Sequence, residues 1–157
     1  MGFQVPLRSN LTAIKAYVPG KPIEELEREL GIKNATKIAS NENPLGPSPK
    51  VLEILKTQLS NISRYPDGSA HGLTQILAKH LGVNANQVMI GNGSNELLVL
   101  LSQMVLNPGD EVIFADQSFV VYPLSTQLFE GVGKVIPLKD FTHDMAAFSN
   151  ALTPKTK

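Results

Sequence analysis

The sequence predicts an α/β fold in which helices cover a parallel β-sheet. In the second half of the chain, short apolar runs of strand length alternate with longer apolar stretches at helical spacing. Turns rich in glycine and proline separate these segments. The resulting order of helix, strand, helix, strand, helix and strand is typical of parallel strands joined by helical crossovers.

The first half of the chain predicts helices and loops. Residues 1–21 lack sustained periodicity and are expected to form an extended arm. Pro22 suits the first position of a helix that Gly31 ends. Ser48 can cap a second helix that starts at Pro49. Its predicted buried stripe consists of Leu52, Leu55 and Leu59.

In the second half of the chain, the spacing of apolar residues changes from that of a helix to that of short strands alternating with helices. A third helix ends at Gly82. Its apolar stripe consists of Leu73, Ile76, Leu77 and Leu81. Strands are then predicted at residues 88–90, 111–115 and 134–138, with helices at 94–106 and about 120–129 between them. A folded chain of this length should bury roughly two thirds of its unfolded surface, which predicts a substantial core.

The composition excludes several classes of function. Fourteen basic residues balance fourteen acidic ones, which gives no indication of a nucleic acid or an acidic membrane as partner. There is no cysteine, no signal-like N-terminus and no apolar run of membrane length, so a cytoplasmic protein is expected. The three histidines lack metal-ligand spacing. The polar end at residues 153–157, without a closing element, suggests part of a longer protein.

Residues 91–96, Gly-Asn-Gly-Ser-Asn-Glu, carry the strongest chemical signal. Two glycines allow close approach of a ligand to the backbone, and the N-terminus of the following helix presents unpaired N–H groups. The Ser94 hydroxyl adds a donor. Together, the loop, the helix N-terminus and this hydroxyl suit a phosphate dianion. The loop lacks the lysine of a P-loop and the third glycine of the dinucleotide motif.

Local features leave other interpretations open. Asn92 and Gly93 also favour a hairpin turn, and Ser94 with Glu96 could only cap the helix. The apolar stretch after Glu96 is at least ten residues long, which favours a helix over a strand. A small nucleotide-binding α/β domain is a further alternative.

Four sequence blocks together resemble the histidinol-phosphate aminotransferases, within the fold-type-I superfamily of pyridoxal-phosphate enzymes. They lie at residues 41–48, 64–68, 91–96 and 107–112, and the resemblance extends from about Ser40 onward. It implies the N-terminal part of that α/β fold: a helical segment followed by the first strands of a mostly parallel sheet. It also implies three segments: an arm and helix (1–40), loops and helices at the substrate and dimer interfaces (41–87), and the first part of the cofactor-binding large domain (88–157).

The resemblance implies pyridoxal 5'-phosphate as the cofactor and assigns residues to it. The Gly93 and Ser94 amides, with Asn95 nearby, would hold the cofactor phosphate. Phe119 would stack on the pyridine ring. Tyr65 would reach the cofactor phosphate of the partner subunit in a homodimer.

Two further residues are implied to contact the substrate. Asn43 would lie near its amino acid group and Tyr17 near its phosphate. Structural roles are the alternatives: a turn former for Asn43, a core aromatic for Phe119, and packing on Pro66 for Tyr65. Glu42 and Asp67 are interpreted as solvated or capping residues.

The chain lacks the catalytic half that the resemblance requires. None of its eleven lysines lies in the family's Schiff-base context, so no catalytic residue is assigned and the chain alone is expected to be inactive. The full-length homodimer would exchange an amino group between histidinol phosphate, a phosphorylated amino alcohol, and 2-oxoglutarate in histidine biosynthesis. Alternatives are an aromatic aminotransferase, a threonine-phosphate decarboxylase, or a non-catalytic phosphate-ligand or interaction module. Uncovered strand edges predict that the isolated chain is unstable.

Overall fold

The computed structural model describes residues 6–157 and divides them into two compact units. One unit comprises residues 17–72. The other joins residues 6–16 to residues 73–157.

The unit of residues 17–72 is built from two helices and the loops around them. Helix α1 (Ile23–Leu30) follows Pro22 and ends at Gly31, whose φ of 65° is left-handed as the sequence predicts. Helix α2 (Pro49–Gln58) begins with proline at its first position. Ser48 occupies the N-cap position as predicted, but its side chain makes no capping hydrogen bond.

Helix α3 (His71–Leu81) is capped by a carboxylate. The Asp67 carboxylate accepts hydrogen bonds from the Ser69 hydroxyl at 2.7 Å, the Ser69 amide at 2.9 Å and the His71 amide at 3.0 Å. These hydrogen bonds hold the pKa of Asp67 below its usual range, and the bond from the Ser69 hydroxyl makes the largest contribution. The capping interpretation of Asp67 is confirmed, and α3 ends at Gly82 with φ 69°.

The second unit contains the sheet. After helix α4 (Ser94–Val105), strand β1 (Glu111–Ala115), helix α5 (Val121–Leu128), strand β2 (Val132–Ile136) and helix α6 (Met145–Asn150) follow in order. Strands β1 and β2 pair in parallel, with Glu111 opposite Val132 and Ala115 opposite Ile136. The predicted parallel crossover is confirmed.

Two strand predictions need correction. Residues 88–90 form no strand: Val88 has extended dihedral angles, φ −111° and ψ 122°, but no strand among residues 6–157 pairs with this segment. The strand expected at 134–138 begins two residues earlier. Gly133, which resembles a turn residue in sequence, lies inside β2, where a Cβ would come within 2.8 Å of the Phe114 ring.

The predicted extended arm is also partly wrong. A 3-10 turn (Ser9–Ala13) packs against the C-terminus of α5. The Asn10 side-chain amide donates to the carbonyls of Gln127 at 3.1 Å and Leu128 at 2.8 Å. The last carbonyls of a helix have no partner within it, so Asn10 satisfies groups that would otherwise need water. Residues 1–5 of the arm lie outside the described residues.

The core is smaller than predicted. The chain exposes 13,228 Å² of surface, whereas a compact protein of 17.0 kDa exposes about 7,700 Å² and two separately folded units of these sizes about 9,200 Å². The buried apolar residues among those described are Ala78, Phe114, Ala115 and Val121. The predicted buried stripes of α2 and α3 are largely exposed, because the chain offers them too little opposing surface. The exposed members are Leu52, Leu55, Leu59, Leu73, Ile76 and Leu81.

The chain's last residues are held against β1 by Glu111. The Glu111 amide donates to the Lys155 carbonyl at 2.9 Å, and the Lys157 amide donates to the Glu111 carbonyl at 3.0 Å. The Glu111 carboxylate accepts from the Thr153 hydroxyl and forms an ion pair with Lys134 at 3.0 Å. The pKa of Glu111 is held below its usual range. The largest cause is the hydrogen bond from the Thr153 hydroxyl, and the next is the interaction with Lys134.

This arrangement predicts a pH dependence. Because the pKa of Glu111 is lower in the folded chain than in the unfolded one, its ionised form stabilises the fold above the unfolded pKa, and this contribution is lost as the pH falls through the folded pKa. Thr153→Val should raise the pKa of Glu111 towards its usual value, as measured by ¹³C NMR titration of the carboxyl carbon. Lys50→Met, which removes an exposed lysine of α2, is the control and should leave that pKa unchanged.

Candidate functional site

The predicted phosphate-binding loop leads directly into a helix. Gly93 is the N-cap of α4, with φ 87° and ψ 163°, and Ser94 is the first helical residue. No side chain caps this end of the helix. The twelve-residue α4 excludes the hairpin interpretation of Asn92 and Gly93. The first amides of α4 are therefore exposed donors at the positive end of the helix dipole.

The loop before α4 is held close to the helix. The Asn92 amide donates to the Glu96 carboxylate at 2.6 Å, so Glu96 holds the loop before the helix and caps none of the helical amides. A Cβ on Gly91 would lie 2.7 Å from the Leu97 side chain, so any larger residue would have to displace Leu97. Around Gly93, in contrast, a Cβ would meet nothing within 4 Å. The space around the Cβ position of Gly93 is therefore open.

A shallow cleft of about 280 Å³ lies beside the first turns of α4. Asn95, the second residue of α4, lines this cleft. The other lining residues are Asn92, Glu96, Val99 and Leu100.

A second cleft, of about 310 Å³, opens at the carboxyl end of β1. Phe119 lines it and is 59% exposed, so the alternative of a plain core aromatic is wrong. In α/β sheets, ligands bind beyond the carboxyl ends of the strands. The other lining residues are Ile113, Phe114, Ala115, Ser118, Tyr122, His143 and Phe148.

Three polar residues of this second cleft carry no sequence assignment. Ser118 and Tyr122 flank Phe119, and their position just after a strand was the signal that could have identified them. His143 packs edge-on against Phe148 with ring centroids 5.4 Å apart. Nothing local in the sequence brings His143 to this cleft, because it depends on the loop after β2 folding back.

The structure assigns the predicted site residues to different units. Gly93, Ser94, Asn95 and Phe119 belong to the unit that contains the sheet, although Asn95 and Phe119 line different clefts.

The remaining predicted residues, Tyr17, Asn43 and Tyr65, belong to the unit of residues 17–72. The Asn43 side chain accepts from the Leu45 amide at 3.1 Å and donates to the Gly46 carbonyl at 3.0 Å, so it is a turn former. Tyr65 is 101% exposed, so packing on Pro66 is wrong. Tyr17 is 53% exposed. Glu42 pairs with Lys37 at 2.7 Å and remains partly solvated, as interpreted.

The charged groups of the two clefts limit the chemistry available there. Neither cleft is lined by a lysine from residues 6–157. Within the same described range, no group of three or more acidic or histidine side chains is placed to hold a metal ion. No helix in this part of the chain is long and apolar enough to cross a membrane. Glu96 contributes one carboxylate to the first cleft, and the other polar and aromatic groups that the two clefts offer are amides, hydroxyls, an imidazole and aromatic faces, which bind and orient a ligand.

The sequence that forms this parallel sheet and the glycine loop before α4 matches a known family. The model of the aminotransferase class I and II family matches residues 33–157, and the chain belongs to that family. Its curated relatives include histidinol-phosphate aminotransferases. The one from Moorella thermoacetica is 46% identical over 150 residues, 96% of this chain and 39% of its own length. The one from Desulfotalea psychrophila is 42% identical over 157 residues, 100% of this chain and 41% of its own length.

Solved structures of aminotransferases also match this chain. The histidinol-phosphate aminotransferase from Sinorhizobium meliloti, in complex with pyridoxal-5'-phosphate, matches with a TM-score of 0.81 and 26% identity, over 95% of this chain and 39% of that one. An aspartate aminotransferase from Thermus thermophilus matches in fold, with a TM-score of 0.79 and 22% identity, over 98% and 44% of the two chains. The predicted fold-type-I aminotransferase fold is confirmed, and the chain spans about two fifths of the length of these relatives.

Proposed function

We propose that this chain supplies the phosphate-binding part of a pyridoxal-phosphate-dependent histidinol-phosphate aminotransferase. The observation that carries the proposal is the uncapped N-terminus of α4, preceded by Gly93 in a conformation that glycine alone readily adopts. Sequence identity of 42–46% to histidinol-phosphate aminotransferases supports this substrate over an aromatic amino acid or threonine phosphate.

The residues present fit the cofactor as binding groups. The amides of Gly93 and Ser94, with Asn95 close by, would donate to the phosphate, where the helix dipole adds a favourable field. The exposed face of Phe119 would carry the pyridine ring, and the Ser118 hydroxyl and Tyr122 would line the same cleft. When bound, pyridoxal phosphate supplies an electron sink for the carbon that bears the substrate amine.

The remaining assignments complete the proposal. Tyr65, fully exposed on its loop, would contact the cofactor phosphate of the partner subunit in a cytoplasmic homodimer. Asn43 would hold its loop in shape near the substrate amino group, and Tyr17 would contact the substrate phosphate. The segments 1–40, 41–87 and 88–157 would serve as arm, interface region and first part of the cofactor-binding domain. Amino transfer to 2-oxoglutarate would require catalytic groups, including a lysine, beyond those that line the two clefts.

The phosphate site can be tested without any lysine chemistry. Pyridoxine 5'-phosphate lacks the aldehyde and cannot condense with surface lysines, so ³¹P NMR titration reports phosphate binding alone. We expect Ser94→Pro to weaken binding at least tenfold, because proline removes one amide yet is well tolerated at the first helical position. Loss of one hydrogen bond to a charged group corresponds to roughly 1.5–3 kcal/mol.

A matched variant separates the amide from the side chain. Ser94→Ala removes the hydroxyl and keeps the amide, and it should weaken binding by no more than about fivefold, in line with about 1 kcal/mol for a typical hydrogen bond. Pyridoxine without phosphate should bind too weakly to saturate. Equal affinity for the two compounds, or an unchanged affinity in Ser94→Pro, would overturn the proposed site.

A further inference from the structure

Asn92 and Gly93 form a pair that can react with each other. Asparagine is a labile residue, because the amide nitrogen of the next residue can attack its side-chain carbonyl carbon. The attack closes a five-membered ring, and a Cβ on the next residue hinders it. Asn92 is the only asparagine of the sequence that glycine follows. Asn43 and Asn107 precede proline, whose nitrogen carries no hydrogen.

The structure leaves both reacting groups accessible. Asn92 and Gly93 are exposed, and Asn92 lines the open cleft beside α4. Among residues 6–157, the Asn92 side chain has no hydrogen-bond partner, and neither does the Gly93 amide. A Cβ at Gly93 would meet nothing within 4 Å, so no neighbouring group fills the space around this residue. The side-chain carbonyl carbon and the amide nitrogen are therefore open to each other.

The start of α4 favours the reaction electrostatically. Attack by the Gly93 nitrogen requires loss of its proton and places negative charge on the Asn92 side-chain oxygen. The first amides of α4 follow directly along the chain, and the positive end of a helix dipole stabilises such charge. The Glu96 carboxylate holds only the backbone amide of Asn92, at 2.6 Å, so the side chain remains able to turn.

We propose that Asn92 is a self-modification site, at which the chain converts its own asparagine to aspartate or isoaspartate. The Gly93 nitrogen bonds to the Asn92 side-chain carbonyl carbon, and the side-chain nitrogen leaves as ammonia with the proton of the Gly93 amide. Water then opens the cyclic imide at either of its two carbonyls and returns a hydrogen to the ring nitrogen. One opening gives aspartate. The other gives isoaspartate, in which the backbone runs through the side chain.

Asp67 and Gly68 show how the fold protects a similar pair. Gly68 also has nothing within 4 Å of a Cβ position. The Asp67 carboxylate, however, accepts hydrogen bonds from the Ser69 hydroxyl, the Ser69 amide and the His71 amide. Closing the ring there would break these bonds. The side chain of Asn92 is under no such restraint from residues 6–157.

Modification would change the proposed phosphate site. Either product places a carboxylate directly before α4, where its negative charge opposes that of a phosphate. Isoaspartate also lengthens the backbone ahead of Gly93 by one carbon. Conversely, a phosphate held by the Gly93 amide would occupy the attacking nitrogen and slow the reaction. These two consequences rest on the proposed function, whereas the modification itself does not.

Ageing of the pure chain tests the proposal. Residues 1–157 are kept at neutral pH and physiological temperature, and tandem mass spectrometry follows, at each asparagine, the mass increase of replacing NH₂ with OH. A synthetic peptide of residues 88–97 gives the rate for an unrestrained Asn92. We expect Asn92 of the chain to react within about fivefold of the peptide, and at least about tenfold faster than Asn95, which is exposed but precedes Glu96.

The folded loop must account for this rate. Hydrogen exchange of the α4 backbone amides measures the fraction of molecules in which the helix is open. If only such molecules reacted, the rate in the chain would be that fraction of the peptide rate. A rate no greater than this product would overturn the proposal, because the folded loop would then hold the two groups apart.

A pair of variants tests the chemistry. Asn92→Gln keeps a side-chain amide but would need a six-membered ring, so modification at this position should slow at least about tenfold. Asn86→Gln, at another exposed asparagine, is the control, and Asn92 should then react within about twofold of its original rate. Equal slowing in both variants would contradict a reaction between Asn92 and Gly93.

Pyridoxine 5'-phosphate separates the modification from the proposed function. At saturation it should slow the modification of Asn92 in the chain at least about fivefold, by occupying the Gly93 amide, and leave the peptide unchanged. Modification at an unchanged rate would support the self-modification site and contradict the phosphate site. Phosphate binding by a chain whose Asn92 stays intact without the compound would overturn the self-modification site and leave the proposed function in place.

Discussion

The isolated chain is expected to unfold in urea over a broad range instead of in one sharp transition. The urea dependence of the free energy of unfolding scales with the surface exposed on unfolding. This chain buries just under half of an unfolded surface of roughly 24,600 Å², against about two thirds for a compact protein of its size. Its slope in urea should therefore be about two thirds of that of a compact protein with 157 residues.

The distribution of apolar side chains leads to the same expectation. Leu59, Ile62 and Ile76 are each more than 60% exposed, and such surfaces promote association of the free chain. Circular dichroism at 222 nm measures the transition, and binding of a hydrophobic dye before any urea is added measures the exposed surface. This chain joined to roughly the C-terminal three fifths of the Moorella thermoacetica relative is the control and should unfold sharply. A monodisperse chain with one steep transition and no dye binding would contradict the prediction.

Local signals in the sequence predicted much of the secondary structure. Glycines at helix ends, Gly31 and Gly82, adopt the left-handed backbone conformation that their position implies. Pro49 starts its helix, and the first helical residue after Gly93 is the predicted Ser94. These features depend on residues within one turn of each other, so the sequence contains all the required information.

Features that depend on distant partners could not be predicted in the same way. Residues 88–90 have strand-like composition and an extended start, but a strand exists only when a neighbour pairs with it. The packing of Asn10 on the end of α5 joins residues more than a hundred positions apart. Apolar periodicity predicted a buried stripe on α2, which is wrong because periodicity carries no information on whether a covering layer is present.

In the candidate site, too, features set by neighbouring residues could be predicted, and features set by distant residues could not. The glycine loop and helix start at residues 91–94 follow from local sequence, and they are found as predicted. The cleft at the end of β1 combines Phe119 with His143, which comes from the loop after the next strand. Only the β1–α5–β2 crossover brings these two segments together, so sequence could assign Phe119 and not its neighbour.

Gly93→Ala is expected to have the largest effect on phosphate binding of any single substitution in this chain. At φ 87° and ψ 163°, Gly93 occupies a region that is essentially restricted to glycine, and a side chain there costs about 1–3 kcal/mol even though a Cβ would contact nothing. The loop should relieve this strain by rotating the peptide that joins Gly93 to Ser94. That rotation turns the Ser94 amide away from the phosphate, and the affinity for pyridoxine 5'-phosphate should fall at least thirtyfold by ³¹P NMR titration.

Gly82→Ala provides the matched control. Gly82 also has a positive φ, 69°, and open space around its Cβ position, but it ends α3 and lines neither of the two clefts. The substitution should destabilise the chain by about 1 kcal/mol, because a non-glycine residue in left-handed conformation is strained. Phosphate affinity should stay within about twofold of the original. Equal weakening by the two substitutions would mean that general destabilisation, and not the orientation of the Ser94 amide, limits binding.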